Sequence, residues 1–143
     1  MAAMITTPRL MYVGGGALEE TGACCAKLDL ERVLIVTDPV MVEIGKLEQL
    51  TARLDDAGVD YDVFSDTVPE PTDGVVEVGA AMIQNGAFDG LIALGGGSPI
   101  DTAKAMNILA AGGGAMRDYK VPHQADLGVL PLIAIPTTAG TGS

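Results

Sequence analysis

The run Gly95-Gly96-Gly97-Ser98-Pro99-Ile100-Asp101 holds the residue types in this chain best suited to chemistry. Three glycines let a backbone bend sharply and let a ligand approach with no Cβ in the way. Ser98 is spaced to be a helix N-cap, Pro99 the first helical residue and Asp101 the third. A helix that starts there turns free N–H groups and the positive end of its dipole toward whatever sits over the glycines. Those are the requirements of a pyrophosphate cradle. The same residues also suit a structural use, in which the glycines permit tight strand-to-helix packing and Ser98 and Asp101 form a capping box. No Gly-Lys-Ser/Thr follows, so the run is not a P-loop, and it is not the Gly-x-Gly-x-x-Gly fingerprint.

Asp38 ends a β-branched run. A carboxylate there can accept hydrogen bonds from both hydroxyls of a ribose and repel a 2′-phosphate, which favours NAD over NADP. In the usual dinucleotide fingerprint the ribose acid follows the glycines by about 20 residues, whereas Asp38 precedes them. Asp38-Pro39 also suits an ordinary turn or helix start. Lys104, one helical turn beyond Asp101, is placed to pair with it at the surface or to reach a phosphate. His123 is the single histidine and lies in a polar segment; without an Asp/His cluster it reads as solvent-exposed, not as a metal ligand.

Alternating strands and helices must position these residues. Leu10 to Val13 reads as extended, and Gly14-Gly15-Gly16 as a turn into a helix over Ala17 to Leu28, with approach to a ligand as the other use of those glycines. Arg32 to Thr37 predicts a strand buried on both faces. Ile44, Leu47, Leu50 and Leu54 recur at helical spacing, and Ala57-Gly58 stops that helix. Tyr61 to Phe64 predicts a strand closed by the loop Ser65 to Pro71, and Thr72 to Asn85 a helix. Gly90 to Leu94 is the clearest strand, feeding the glycine loop and a helix from Pro99 to Ala111 that Gly112-Gly113-Gly114 ends. Met116 to Gly128 reads as a surface loop and Leu130 to Ile135 as the last strand, before Pro136-Thr137-Thr138-Ala139-Gly140-Thr141-Gly142-Ser143. Short connections between alternating elements point to an α/β fold with a doubly wound, mostly parallel sheet. In such sheets ligands bind beyond the carboxyl ends of the strands, where Asp38, the glycines and Thr137-Thr138 all fall.

With 143 residues, one domain with a real core is expected. Apolar residues make up 48% and aromatics 3%, so the core is built from aliphatic side chains. The 19 acidic and 8 basic residues give a net charge of −11, which argues against nucleic acid and anionic membranes as partners. A phosphate ligand is still compatible, because backbone N–H groups bind anions without Lys or Arg. Cys24 and Cys25 are adjacent, which disfavours an ordinary disulfide between them, and they read as reduced thiols of a cytoplasmic protein. No stretch reaches the roughly 20 apolar residues of a membrane span.

Gly95-Gly96-Gly97-Ser98-Pro99-Ile100-Asp101-Thr102-Ala103-Lys104 and Pro136 to Ser143 resemble the two N-terminal signatures of the iron-containing alcohol dehydrogenases. Val33 to Asp38 and Val68-Pro69-Glu70-Pro71 fall where that family has its first nucleotide-binding strand and its Pro-x-Pro loop. The resemblance implies a Rossmann-like fold of the dehydroquinate synthase-like N-terminal type. In it, residues 1–143 form a dinucleotide-binding domain incomplete at its C-terminal end, with the helical metal-binding domain absent. It implies NAD as cofactor and, in the missing domain, a divalent metal, iron or sometimes zinc, that polarises the alcohol oxygen while hydride passes to the nicotinamide. Gly96, Gly97 and Ser98 would line the pyrophosphate, Asp38 the adenosine ribose, and Thr137 and Thr138 the inner part of the cofactor, with Asp101 and Thr141 as further contacts. No catalytic or metal-ligating residue is assigned.

The activity so implied is interconversion of a small alcohol and its aldehyde or ketone by a homo-oligomer. Two alternatives stand beside it. One is a non-catalytic NAD-binding fragment, inactive alone and prone to self-association through an exposed apolar face; the other is a relative of glycerol dehydrogenase or dehydroquinate synthase.

Overall fold

In the computed structural model of the chain, residues 8–119 and 127–143 are described; His123 and part of the expected Met116–Gly128 loop lie outside them. Four strands form one parallel sheet in the order β2-β1-β3-β4: β1 (Arg32–Val36), β2 (Asp60–Phe64), β3 (Gly90–Gly95) and β4 (Leu132–Pro136). The chain steps from β1 outward to β2 on one side and from β3 to β4 on the other. The carboxyl ends of β1 and β3 therefore diverge and leave the crevice in which open α/β sheets bind ligands.

The two central strands, β1 and β3, are apolar because both faces of the sheet are covered there, whereas edge strand β2 carries exposed Asp60 and Asp62. Val33, Ile35, Ile92 and Leu94 pack with Cys25, Leu50 and Leu54 of α1 (Thr21–Lys27) and α3 (Lys46–Ala57). The alternate residues Leu34, Val36, Leu91 and Ala93 pack with Val76, Ala80, Ala103 and Met106 of α4 (Asp73–Asn85) and α5 (Gly97–Gly112). Each large aliphatic side chain so buried contributes roughly 1.5–3 kcal/mol. Every residue of β3 is buried, which makes it the axis of the sheet.

Three elements differ from the sequence expectation. The helix read from Ile44 begins only at Lys46, because Gly45 (φ 74) breaks the run, and Ile44 instead caps a separate short helix α2 (Pro39–Glu43) with its side chain exposed. The expected Ala17–Leu28 helix resolves into a 3-10 turn at Ala17–Glu20, entered through left-handed Gly16, and then α1. The last strand starts at Leu132, not Leu130. Both backbone groups of Leu130 are taken by the Asn107 side chain, whose Nδ2 donates to the Leu130 carbonyl (2.8 Å) and whose Oδ1 accepts from its amide (3.0 Å). Met116–Tyr119 forms a 3-10 turn, while Gly113 (φ 68) ends α5 as the glycine run implied. No helix among the described residues is long and apolar enough to cross a membrane.

The Asn107 clamp joins α5 to the approach of β4 in a partly buried place, where an unpaired backbone group costs about 1–3 kcal/mol. Asn107→Ala should lower stability by about 2 kcal/mol in urea titration, and a loss below about 0.5 kcal/mol would show that the clamp does not hold β4. Cys24 and Cys25 are both free and buried. Burial first, then Cys24 and Asp89, pushes the Cys25 thiol from 9.0 up to about 11. A raised thiol pKa favours the folded state fully below pH 9.0 and loses that contribution as pH climbs toward about 11. Urea midpoints measured across that window should fall more steeply for the unaltered chain than for Cys25→Ala.

Candidate functional site

Gly95 leaves β3 with φ 142, a conformation open to glycine and few other residues. Space forbids a side chain as well: a Cβ would lie 2.7 Å from Pro99 Cγ and 3.1 Å from Asp38 Oδ2. Gly96 is extended and serves as the N-cap of α5, Gly97 begins the helix, and no side chain caps it. The expectation that Ser98 is the N-cap is thus corrected. The helix starts two residues earlier than Pro99, and the Ser98 hydroxyl is drawn away to donate to the Pro69 carbonyl at 3.0 Å. Pro99 becomes the third helical residue, a position whose amide has no intrahelical partner, so its missing N–H costs nothing.

The consequence favours an anion. The amides of Gly96, Gly97 and Ser98 precede the first i→i−4 bond, face the positive end of a 16-residue helix and are covered by no capping side chain. Asp38 stands beside them. It is the N-cap of α2, its Oδ1 accepting from the Met41 amide at 3.0 Å, so the helix-start reading of this residue is correct. Its Oδ2 flanks Gly95, and no donor among the described residues engages that oxygen. One carboxylate can therefore cap a helix and present an acceptor to the crevice.

The segment after β4 closes the other side. The Thr137 amide donates to the Gly95 carbonyl at 2.9 Å. Thr138 Oγ1 lies 3.1 Å from where a Gly96 Cβ would sit, and Thr141 Cβ lies 3.2 Å from the corresponding point on Gly97. Ser143, to which the sequence assigned no role, donates its hydroxyl to Asp101 Oδ2 at 3.0 Å. Asp101 also pairs with Lys104 at 3.7 Å, both half-exposed, an ion pair of little energetic weight. The fold thus gathers Asp38, Gly96, Gly97, Ser98, Asp101, Thr138 and Thr141 around one loop, while Thr137 joins through its backbone. Gly14-Gly15-Gly16 instead turn the chain into the first 3-10 helix and line a separate surface cavity of about 230 Å³ with Tyr12 and Glu20. Among the described residues, no three His, Cys, Asp or Glu side chains come together as a metal site.

Residues 8–143 match the family model described as iron-containing alcohol dehydrogenase. The chain belongs to that family. It is 37% identical over 136 residues to the NAD-dependent methanol dehydrogenase of Bacillus methanolicus, an alignment covering 95% of this chain and 36% of that relative. Its fold superposes on a crystal structure of 1,3-propanediol oxidoreductase with a TM-score of 0.88 at 30% identity, covering 94% of this chain and 35% of the other. The sulfoacetaldehyde reductase of Bifidobacterium kashiwanohense, solved in complex with NAD+, gives a TM-score of 0.79 at 31% identity over 90% of this chain and 34% of that one. The chain therefore spans about a third of the length of the relatives it matches.

Gly95 and Gly97 respond differently to a side chain. Gly95→Ala would hold an alanine at φ 142 against Pro99, and should cost about 2–4 kcal/mol of stability. Gly97→Ala keeps an ordinary φ and meets the Ser143 hydroxyl and the Thr141 side chain of the exposed segment after β4, and should cost about 1 kcal/mol or less. Equal losses for the two variants in thermal or urea unfolding would contradict this account of the loop.

Proposed function

We propose that residues 1–143 form a dinucleotide-binding domain that holds NAD, within a protein that interconverts a small alcohol and its aldehyde or ketone. The observation that carries this reading is the uncapped start of α5 at the switch point of the sheet, with Asp38 across Gly95. A Cβ at Gly96 or Gly97 would stand against Thr138, Thr141 and Ser143 on the facing wall, so the bare glycines leave the room over the amides that a dinucleotide phosphate needs. The amides of Gly96, Gly97 and Ser98 would donate to the pyrophosphate oxygens, adding three N–H donors to the helix dipole. Asp38 Oδ2 would accept from the ribose hydroxyls and repel a 2′-phosphate. The exposed hydroxyls of Thr137, Thr138 and Thr141, with Asp101 behind them, would orient the inner part of the cofactor. Bound NAD supplies the hydride acceptor.

The divalent metal of the family reading, iron or zinc, finds no ligand set among the described residues, and no step is assigned through it. The reading extends to a cytoplasmic homo-oligomer without nucleic-acid or membrane partners, supported by the free thiols, the net charge of −11 and the exposed apolar Val40, Val42 and Ile44. Calorimetry with NAD and NADP tests the cofactor assignment. NAD should bind more tightly, and Asp38→Asn, which keeps a good N-cap but removes the charge, should cut the preference over NADP by about tenfold. Tighter binding of NADP by the unaltered chain, or binding of neither, would sink the reading.

A further inference from the structure

Two buried threonines follow the carboxyl ends of β1 and β2. Thr37 and Thr67 are 0% and 3% exposed. The ladder between β1 and β3 ends at Val36 and Ala93, because the two strands must part there. One residue further on, the Thr37 hydroxyl donates to the Leu94 carbonyl at 2.8 Å and replaces the missing ladder bond. The Thr37 amide donates to the Phe64 carbonyl at 2.9 Å, and the Thr37 carbonyl accepts from the Thr67 hydroxyl at 2.8 Å. Two residues past Thr67, the Pro69 carbonyl takes the Ser98 hydroxyl at 3.0 Å.

These contacts close a ring. It runs from Thr37 to Leu94, through the glycines to Ser98, across to Pro69 and back by Thr67 to Thr37. Asp38 follows Thr37 in sequence and Gly95 follows Leu94, so the ring sets the separation between the ribose-facing carboxylate and the pyrophosphate-facing amides. We infer that Thr37 and Thr67 are positioning residues for dinucleotide binding, coupling Asp38 to the Gly95–Ser98 loop without touching the ligand. This inference rests on the assignment of that crevice to NAD.

A double-mutant cycle on the full 143-residue chain tests it, with NAD and NADP as calorimetric probes and thermal unfolding followed alongside. Thr37→Val keeps the shape and removes the hydroxyl. It should weaken NAD by about tenfold and reduce the preference over NADP, as loss of a buried hydrogen bond that acts on binding would. Thr37→Ser should restore both. In an Asp38→Asn background the same Thr37→Val change should cost under about threefold, since the hydroxyl acts through placement of that carboxylate. Thr67→Val, which cuts the ring at a second point, should shift affinity in the same direction and serves where Thr37→Val fails to fold.

If the valine variants lower the melting temperature but leave NAD affinity and the NAD to NADP ratio unchanged, the threonines are structural only and the inference is overturned. An undiminished cost in the Asp38→Asn background overturns it equally, while the cofactor assignment stands. Failure of the unaltered chain to bind NAD removes the assignment itself, and the inference with it.

Discussion

Gly95 is the residue through which the wholly buried β3 leaves the sheet, and its backbone runs at φ 142 against Pro99 on one side and Asp38 on the other. A strand buried on both faces can offer nothing to a ligand along its length, so whatever it presents must come from its carboxyl end. That end is sterically full. The turn at Gly95 needs a residue without a Cβ, and from it follow the start of α5 at Gly97, the bond from the Thr137 amide that brings in the segment after β4, and the position of Asp38 over the crevice.

The electrostatics of the site depend on the same turn. A chain of net charge −11 is a poor host for an anion in its long-range field. Asp38 and Asp101 add negative charge beside the loop, and Lys104 is already paired with Asp101. Attraction for a phosphate must therefore come at short range, from bare amides and the end of the helix dipole, which act within the first turn. An acidic surround with a neutral, amide-lined cradle suits a ligand whose charge is confined to its phosphates. In the proposed reading, the same charge that lowers general anion affinity would disfavour an extra phosphate near Asp38.

The support for this edge is distributed over both layers of helices. Leu50 and Leu54 of α3 hold one face of β1 and β3, and Ala103 and Met106 of α5 hold the other. The loop thus sits on a floor packed from two sides. β4 is different. None of its residues is fully buried, and it is held by the ladder to β3, by the Asn107 clamp and by partly buried Leu132, Ile133 and Ile135 packed against the two cores.

The strands were legible in the sequence because burial on two faces demands unbroken apolar runs, as in Val33 to Val36 and Leu91 to Leu94, with Gly, Pro or charge at their ends. The glycine run, Asp38 and the Thr137–Thr138 segment were legible as chemistry because their residue types are unusual at strand ends, and two long motifs identified the family. Tertiary structure alone decided the strand order and hence which strand ends diverge. It also decided the fate of Ser98, whose local preference for an N-cap yields to the Pro69 carbonyl 29 residues away in sequence. Thr37 and Thr67 carried no signal, since a threonine at a strand end or in the loop after it looks the same whether or not a distant carbonyl needs its hydroxyl. Capping and apolar periodicity are properties of neighbouring residues, whereas the pairing of a buried polar group is set by whichever segment the fold brings against it.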